Sequence, residues 1–569
     1  MKKKFFVTTP IYYVNSEPHI GSAYTTIMAD IVNRFKKLSG CDTFFLTGTD
    51  EHGMKIQQSA HRSGKNEQEF VDEIAKIFRD SADFMGCGYD DFIRTTEKRH
   101  RIFVQNIWKI LMENGWLYRG KYEGWYCVGD EAYYGDNELV KNKDGEYTTE
   151  LGKSVEWKEE DSYFFRLGEF QKMLLDIYAN NKKFIQPESR RNEIISFVGG
   201  GNLKDILAGN FKKDCLKDLS VSRNNFSWGI KIPWDDRRRQ LIDENDDWLD
   251  GIDDGEKHVA YVWLDALFNY QSALGDRLGY FWGKEGETAH IVGKDIVKFH
   301  AIYWPAFLMA VKYSREEFKN ITCDDILKSG ALPDVIFAHG WWTNEGKKIS
   351  KSFGNAVNPR EEIKWLQEKF GITKDVALDY LRYYLSTEGI FGNDLDYSRL
   401  RLVEKINAEL ANNLGNLMQR VLSMIYRELG GEIGDVDPAE LDDLDRKNLN
   451  SAPDLQSLIQ NETLHKFDFI GYRDLILTLA NAANDYMEKT APWNLKGDGD
   501  RKKLRKILLT QVRVLLRIAI LLQPICPHLA GKALDFLGVN DRNFDSLGQS
   551  MGLIGRAIGE PKGFFPRLA

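Results

Sequence analysis

Close cysteine pairs are missing from this 569-residue chain: its six cysteines, Cys41, Cys87, Cys127, Cys215, Cys323 and Cys526, stand far apart. That scatter offers neither a disulfide framework nor a thiolate zinc cage, and it fits a reduced, cytoplasmic setting. Long apolar runs are missing too. The richest stretch, Leu504 to Leu522, is broken by Arg505, Lys506, Gln511, Arg513 and Arg517, which predicts a buried helix rather than a membrane span. The amino terminus passes from lysines straight into the β-rich Phe5-Phe6-Val7-Thr8, leaving no room for a signal or transit segment. Positive charge is also short, with 77 basic against 85 acidic residues and a net charge of −8. A protein that coats nucleic acid by bulk charge is basic, so any nucleic-acid partner must be met by a local surface. Repeats and low-complexity tracts are absent. What is present, 43% apolar and 28% charged residues, suits a globular protein with more than one core.

The first stretch has the rhythm of a βαβ unit. Phe5 to Thr8 reads as a strand ending before Pro10, and Tyr24, Ile27, Ile31, Phe35 and Leu38 share one helical face closed by Gly40. Thr43-Phe44-Phe45-Leu46 is a second strand, running into Gly48-Thr49-Asp50. Such a unit implies a parallel sheet with ligands at the carboxyl ends of its strands. From about Tyr118 to Arg223, short aromatic strands alternate with polar turns, as in an insertion. The α/β pattern returns at His258–Trp263 and His290–Gly293. Beyond about Leu395 the stripes Leu410, Leu414, Leu417, Val421, Met424 and Leu475, Leu479, Ala482, Tyr486 predict a helical bundle.

Two short segments carry most of the chemistry. Pro18-His19-Ile20-Gly21-Ser22 lies between the first strand and the first helix, and Gly346-Lys347-Lys348-Ile349-Ser350-Lys351-Ser352 lies far downstream. Gly21 permits close approach at a helix N-terminus, where free N–H groups and the macrodipole attract phosphate. His19 adds a donor. Lys348 and Lys351 are point charges suited to a transferring phosphoryl group. Each segment alone is weak, since most lysine loops are merely solvated and a His before a helix is usually a cap.

Together, in this order, they resemble the HIGH and KMSKS signatures of the class I aminoacyl-tRNA synthetases. Ile349 replaces methionine in the second, and Ser22 replaces the last histidine of the first. Serine still donates one hydrogen bond but carries no positive charge. Further segments are similar to the methionyl-tRNA synthetase family: Thr8–Tyr13, Gly48–Gly53, Tyr261–Ala266, Gly293–His300, Asn416–Arg420 and Ala491-Pro492-Trp493.

The resemblance implies an α/β fold: a Rossmann-type parallel-sheet catalytic domain with an inserted connective domain, then an all-α anticodon-binding bundle. It implies catalytic-domain halves at residues 1–117 and 225–323, the insertion at 118–224, a stem-contact region bearing the lysine loop at 324–394, and the helical domain at 395–569. It also implies a ligase that activates L-methionine with ATP and Mg²⁺ and charges tRNA(Met), initiator and elongator. His19, Gly21, Ser22, Gly293, Asp295, Lys348, Ser350 and Lys351 would surround ATP, with His19, Asp50, Lys348 and Lys351 catalytic. Asp50 would take the substrate ammonium. Ile11, Tyr13, Trp263, Ala266, Leu267, Tyr270, Ile296 and His300 would line the side-chain pocket, where aromatic rings suit a thioether. Arg223 would stand near that pocket. Asn416, Arg420 and Trp493 would read the anticodon, by stacking and edge contacts to splayed bases.

Many members of that family bind zinc on Cys-x-x-Cys pairs. Here the stretch reads Cys127-Val128-Gly129-Asp130, so no protein-bound zinc is expected. A monomer is expected, because no appended module follows the bundle. Two other readings stay open. One is a class I synthetase for another amino acid, against which the short insertion and the missing zinc cage argue. The other is a silent tRNA-binding relative, supported only by Ser22.

Overall fold

The computed structural model describes residues 2–14, 18–127, 132–134, 139–142, 145–149, 152–232, 234–235, 240–241, 258–344, 347–348, 357–434, 436–451, 463–548 and 556–569. Strands β1 (Lys4–Thr8) and β2 (Tyr12–Tyr13) lie end to end beside β3 (Asp42–Asp50), separated by the bend at Pro10. On the far side of β3 runs β4 (Asp91–Arg94). β5 (Ile185–Gln186), β6 (Gly286–Gly293) and β7 (Val335–His339) extend the sheet from the other edge of β1, in the order β5-β7-β6-β1-β3, and every pairing is parallel. Phe6, Val7, Phe45 and Leu46 are fully buried, as a parallel sheet covered on both faces requires.

The chain builds outward from β1 to β3 and β4, then returns to place β6 on β1's other side. The reversal between β1 and β6 opens a crevice beyond their carboxyl ends, where open α/β sheets bind ligands. The sheet also takes in Ile185–Gln186 from the segment read as an insertion and Val335–His339 from the segment read as stem-contacting. A two-residue strand leaves no alternation to read in sequence.

Helix α1 (Ile20–Leu38) buries the stripe Tyr24, Ile27, Ile31 and Phe35, and also Met28, Ala29, Val32 and Asp30 on other faces. It is enclosed all round because α2 (Lys374–Thr387) covers the side away from the sheet. Asp30 is matched there by Arg382 at 2.7 Å, both fully buried. The bundle continues with α3 (Asn416–Glu428), α4 (Phe469–Thr490), α5 (Arg501–Leu522) and α6 (Pro527–Phe536). One apolar core runs from Val7 and Ile291 in the sheet through Tyr380 and Tyr384 to Leu515 and Leu529. The segment around Leu504–Leu522 is the buried α5, and among the described residues no helix is long and apolar enough to cross a membrane.

The carboxyl-terminal segment straps these helices. Arg556–Ala557 pairs with Glu432–Ile433, and Phe564, Phe565 and Leu568 are buried. In the insertion, strands Leu117–Cys127 and Glu156–Phe165 pair in antiparallel register from Leu117–Phe165 to Tyr126–Glu156. Tyr126, Phe164 and Phe165 are buried there, whereas Trp125 is only half-buried between Tyr147 and Trp157.

Candidate active site

A cleft of about 670 Å³ opens at the β1–β6 reversal. One side of it is set by how α1 begins. His19 caps that helix: its Nδ1 accepts the Gly21 N–H at 3.0 Å, which leaves the proton of the neutral ring on Nε2. Ser22 closes the capping box, its Oγ accepting the His19 N–H at 3.1 Å and donating to the His19 carbonyl at 2.8 Å. Gly21 has no room for a side chain, because a Cβ would stand 2.8 Å from the His19 Cε1.

The chain just beyond the far downstream segment reaches the same place. Ile20 donates its backbone N–H to the Val357 carbonyl at 2.9 Å, so the chain emerging from the lysine segment closes one of the free donors of α1. At the other flank, the backbone of Lys347–Lys348 pairs with Trp342–Asn344, with Lys348 opposite Thr343. Trp342 itself lines the cleft. Ser350 and Lys351 lie outside the described residues, as does the side chain of Lys348.

At the other end, Asp50 lines the cleft from the last position of β3. Its neighbour Glu51 is buried and holds that turn: it forms a forked pair with Arg94 at 2.7 and 2.9 Å and accepts from Thr49 and Thr96. Trp263, Ala266, Leu267 and Tyr270 line one wall together with Ile11, Tyr13, Ile296 and His300. They ride on two short helices, Val262–Leu267 and Asn269–Ser272, which break at Phe268. Trp263 stacks on Phe299 with centroids 3.6 Å apart.

The polar groups of that wall are already committed to one another. The His300 Nδ1 donates to the Ile296 carbonyl at 3.0 Å, so its Nε2 accepts the Tyr270 hydroxyl proton at 2.6 Å. Burial pushes His300 down to about 4 and His290 well below its ordinary value. Both rings are therefore neutral at neutral pH. His290 stacks on Tyr270 at 4.2 Å and bonds Thr8 at 2.8 Å, so Tyr270 is fixed by its ring and its hydroxyl.

Gly293 ends β6 and Asp295 follows it into the cleft. A Cβ on Gly293 would stand 2.5 Å from the Asp295 Oδ1, and Trp341 donates its indole N–H to that oxygen at 3.1 Å. His339, at the end of β7, donates through Nδ1 to the Gly340 carbonyl and accepts the Thr25 hydroxyl at Nε2, 2.8 Å away. Sequence reasoning missed Thr25, His339, Trp341 and Trp342 as cleft residues. The run His339-Gly340-Trp341-Trp342, starting at the last residue of a strand, was the available signal.

A family model described as tRNA synthetases class I (M) matches residues 5–422. The chain belongs to this family of class I tRNA synthetases. Among its relatives is a methionine–tRNA ligase of Rickettsia felis, 43% identical over all of this chain and 99% of that protein. Another, from Brucella suis, is 40% identical over all of this chain and 98% of its own length. A Mycobacterium tuberculosis methionyl-tRNA synthetase solved in complex with methionyl-adenylate superposes with a TM-score of 0.83 at 36% identity, each chain covered completely. The free-state form of that synthetase gives 0.78 at 34% identity, over all of this chain and 98% of that one.

Elsewhere on this synthetase, Arg223 is buried but does not line the cleft. It bonds the Ser220 hydroxyl and the Ser222 carbonyl and lies over the Tyr261 ring. Cys127 is buried, while Val128, Gly129 and Asp130 lie outside the described residues. Among those described, no group of three or more His, Cys, Asp or Glu side chains is placed to hold a metal. On the bundle, Asn416 is exposed, and Arg420 lies 5.8 Å from the Trp493 ring and donates to Asn484 at 2.8 Å. Asn484 donates in turn to Asn413, and Asn413 to Asn481, each at 2.8 Å.

Proposed function

We propose that this synthetase joins L-methionine to ATP as methionyl-adenylate and passes the aminoacyl group to the terminal ribose of tRNA(Met), initiator and elongator alike. The observation that carries the reading is the junction of Ile20 with Val357. It brings the flank of the lysine segment onto the helix end that presents His19, Gly21 and Ser22. Full-length likeness to methionine–tRNA ligases supports the choice of amino acid.

In this reading Asp50 accepts from the ammonium of methionine, and Ile11, Tyr13, Trp263, Ala266, Leu267, Tyr270, Ile296 and His300 enclose its side chain. The thioether meets aromatic rings, worth about 0.3–1.5 kcal/mol per sulfur contact, because the Tyr270 proton is already given to His300. ATP, as its Mg²⁺ complex, lies along His19, Gly21, Ser22, Gly293 and Asp295, with Lys348, Ser350 and Lys351 closing over the phosphates. The substrate carboxylate attacks the α-phosphorus in line, the new P–O bond forms as the bond to pyrophosphate breaks, and no protein nucleophile is needed. Catalysis is then positioning plus charge stabilisation. Asn416, Arg420 and Trp493 contact the anticodon. One copy supplies both the cleft and the bundle face, so a monomer suffices, which sedimentation tests.

Methionine-dependent ATP–pyrophosphate exchange, run against a panel of amino acids and followed by charging of purified tRNA, tests the whole reading. Exchange driven by another amino acid in preference to methionine refutes it. Lys351→Ala is expected to slow adenylate formation by about 10²- to 10³-fold, the scale of losing one transition-state donor, with methionine affinity unchanged; stopped-flow kinetics decides. Gly21→Ala is expected to cost about 0.5–2 kcal/mol of stability, because its Cβ pushes aside the His19 ring that caps α1. The same change displaces His19 and lowers the exchange rate by about tenfold or more. A normal rate in that variant would remove His19 from the phosphate site.

A further inference from the structure

Behind the pocket wall lies a buried His–Asp–His arrangement that the reaction does not touch. Asp265 accepts from the His52 Nδ1 at 2.6 Å and from the His100 Nε2 at 2.8 Å, and none of the three side chains is more than 5% exposed. The second nitrogen of His100 meets the Ser272 hydroxyl at 2.7 Å. Burial alone would raise the Asp265 carboxyl, but His52 and His100 outweigh it and hold it below the ordinary carboxylate range. An ionised carboxylate only accepts, so both imidazole nitrogens facing it carry protons.

Four segments meet at these bonds. His52 follows Asp50 at the end of β3, and its backbone neighbour Glu51 is tied to Arg94. Asp265 sits between Trp263 and Ala266 on the first wall helix, and Ser272 lies one turn end beyond Tyr270 on the second. His100 comes from the helix Lys98–Glu113, outside the cleft altogether. One carboxylate thus links the turn carrying Asp50 to the helix carrying Trp263, Ala266 and Leu267. His100 adds the helix carrying Tyr270. Across the break at Phe268 the two wall helices are also tied by the Asn269 amide, which donates to the Ala266 carbonyl at 2.5 Å.

We propose that Asp265 is a positioning residue that fixes the spacing between Asp50 and the apolar wall, and so makes the site measure the length of the amino-acid side chain. The inference rests on the reading of this cleft as the methionine site. A substrate held by its ammonium at one end and by packing at the other is rejected for a methylene too many or too few only if the two ends cannot part. An apolar pocket separates such neighbours by about 1–3 kcal/mol, and a wall that yields loses that margin first.

Asp265→Asn keeps the volume but turns one acceptor into a donor facing an N–H. In ATP–pyrophosphate exchange the variant is expected to raise the methionine KM by about tenfold while the ATP KM stays within about twofold. Its preference for methionine over ethionine and norvaline, read as ratios of kcat/KM, should fall by about tenfold. A lowered melting temperature with KM and preference unchanged would make the arrangement merely structural and overturn the proposal. If Asp265→Asn does not fold, His52→Gln, which leaves the His100 bond in place, is read by the same ratios, and unchanged ratios there overturn it equally. Absence of methionine-dependent exchange in the unaltered enzyme would instead refute the functional reading.

Discussion

Removal of residues 563–569 is expected to cost the helical bundle about 4 to 9 kcal/mol, the burial energy of three large apolar side chains. Phe564 and Leu568 are each 2% exposed and Phe565 7%. Phe564 packs edge-on against Phe536 of α6 at 5.2 Å. Phe565 lies so close to Gly415 that a Cβ there would stand 3.1 Å from its own Cβ. Polar contacts fix the path: Tyr380 of α2 donates to the Pro566 carbonyl at 2.7 Å, and Asn407 bonds both the N–H and the carbonyl of Leu568 at 2.8 and 2.7 Å. A domain has only about 5–15 kcal/mol to lose, so the truncated chain should give up a large share of its stability. Denaturant titration followed by circular dichroism measures this, and an unmoved midpoint would mean the strap is dispensable.

Arg382→Met is expected to destabilise by about 3 kcal/mol, because it takes from a buried carboxylate the buried one of its two cations. Asp30 is held at 2.7 Å by both Arg382 and Arg34 and by the Gly88 N–H. Arg382 also donates to the carbonyls of Ile525 and Pro524 at 3.0 and 3.1 Å, in the turn between α5 and α6. Burial alone would raise the Asp30 carboxyl, but Arg382 and then Arg34 outweigh it and keep it below its ordinary value. A depressed carboxylate contributes stability that is complete above the unfolded value, about 3.9, and is lost as pH falls through the folded value. The gap between the parent and Arg382→Met should therefore be full at neutral pH and shrink below about pH 4. Adding Asp30→Asn to the variant should recover part of the loss, which a double-mutant cycle reads directly.

Much of this architecture was legible because it rests on local patterns. The stripe from Tyr24 to Phe35 and the β-rich runs at Phe5 and Phe44 state a βαβ unit outright. The spacing of Trp263, Ala266, Leu267 and Tyr270 puts them on one wall, although the break at Phe268 is invisible in it. Other features depend on partners far along the chain. Nothing local to Asp30 announces its burial, because its partner Arg382 lies far along the chain. His339 ends a five-residue strand and Trp341 follows it, and only sheet topology delivers them to the cleft. Ser22 reads as a lost histidine, whereas in the fold it closes the capping box with His19. The helix preceding α3 widens over Ile406–Gly415 into π-helical turns, which a count of about 3.6 residues per turn does not anticipate. Asn413 accordingly turns toward α4 to bond Asn481 and Asn484, while Asn416 stays exposed on the same stretch.

The apolar core shared by α1, α2 and the bundle bears on how a long substrate is measured. Sheet and bundle share one apolar core through side chains such as Tyr384 and Leu515, which argues against either being a detachable module. In the proposed reading, a mismatch in reach between the cleft and the helical face that holds Asn416 and Arg420 is taken up by the nucleic acid, the softer of the two partners.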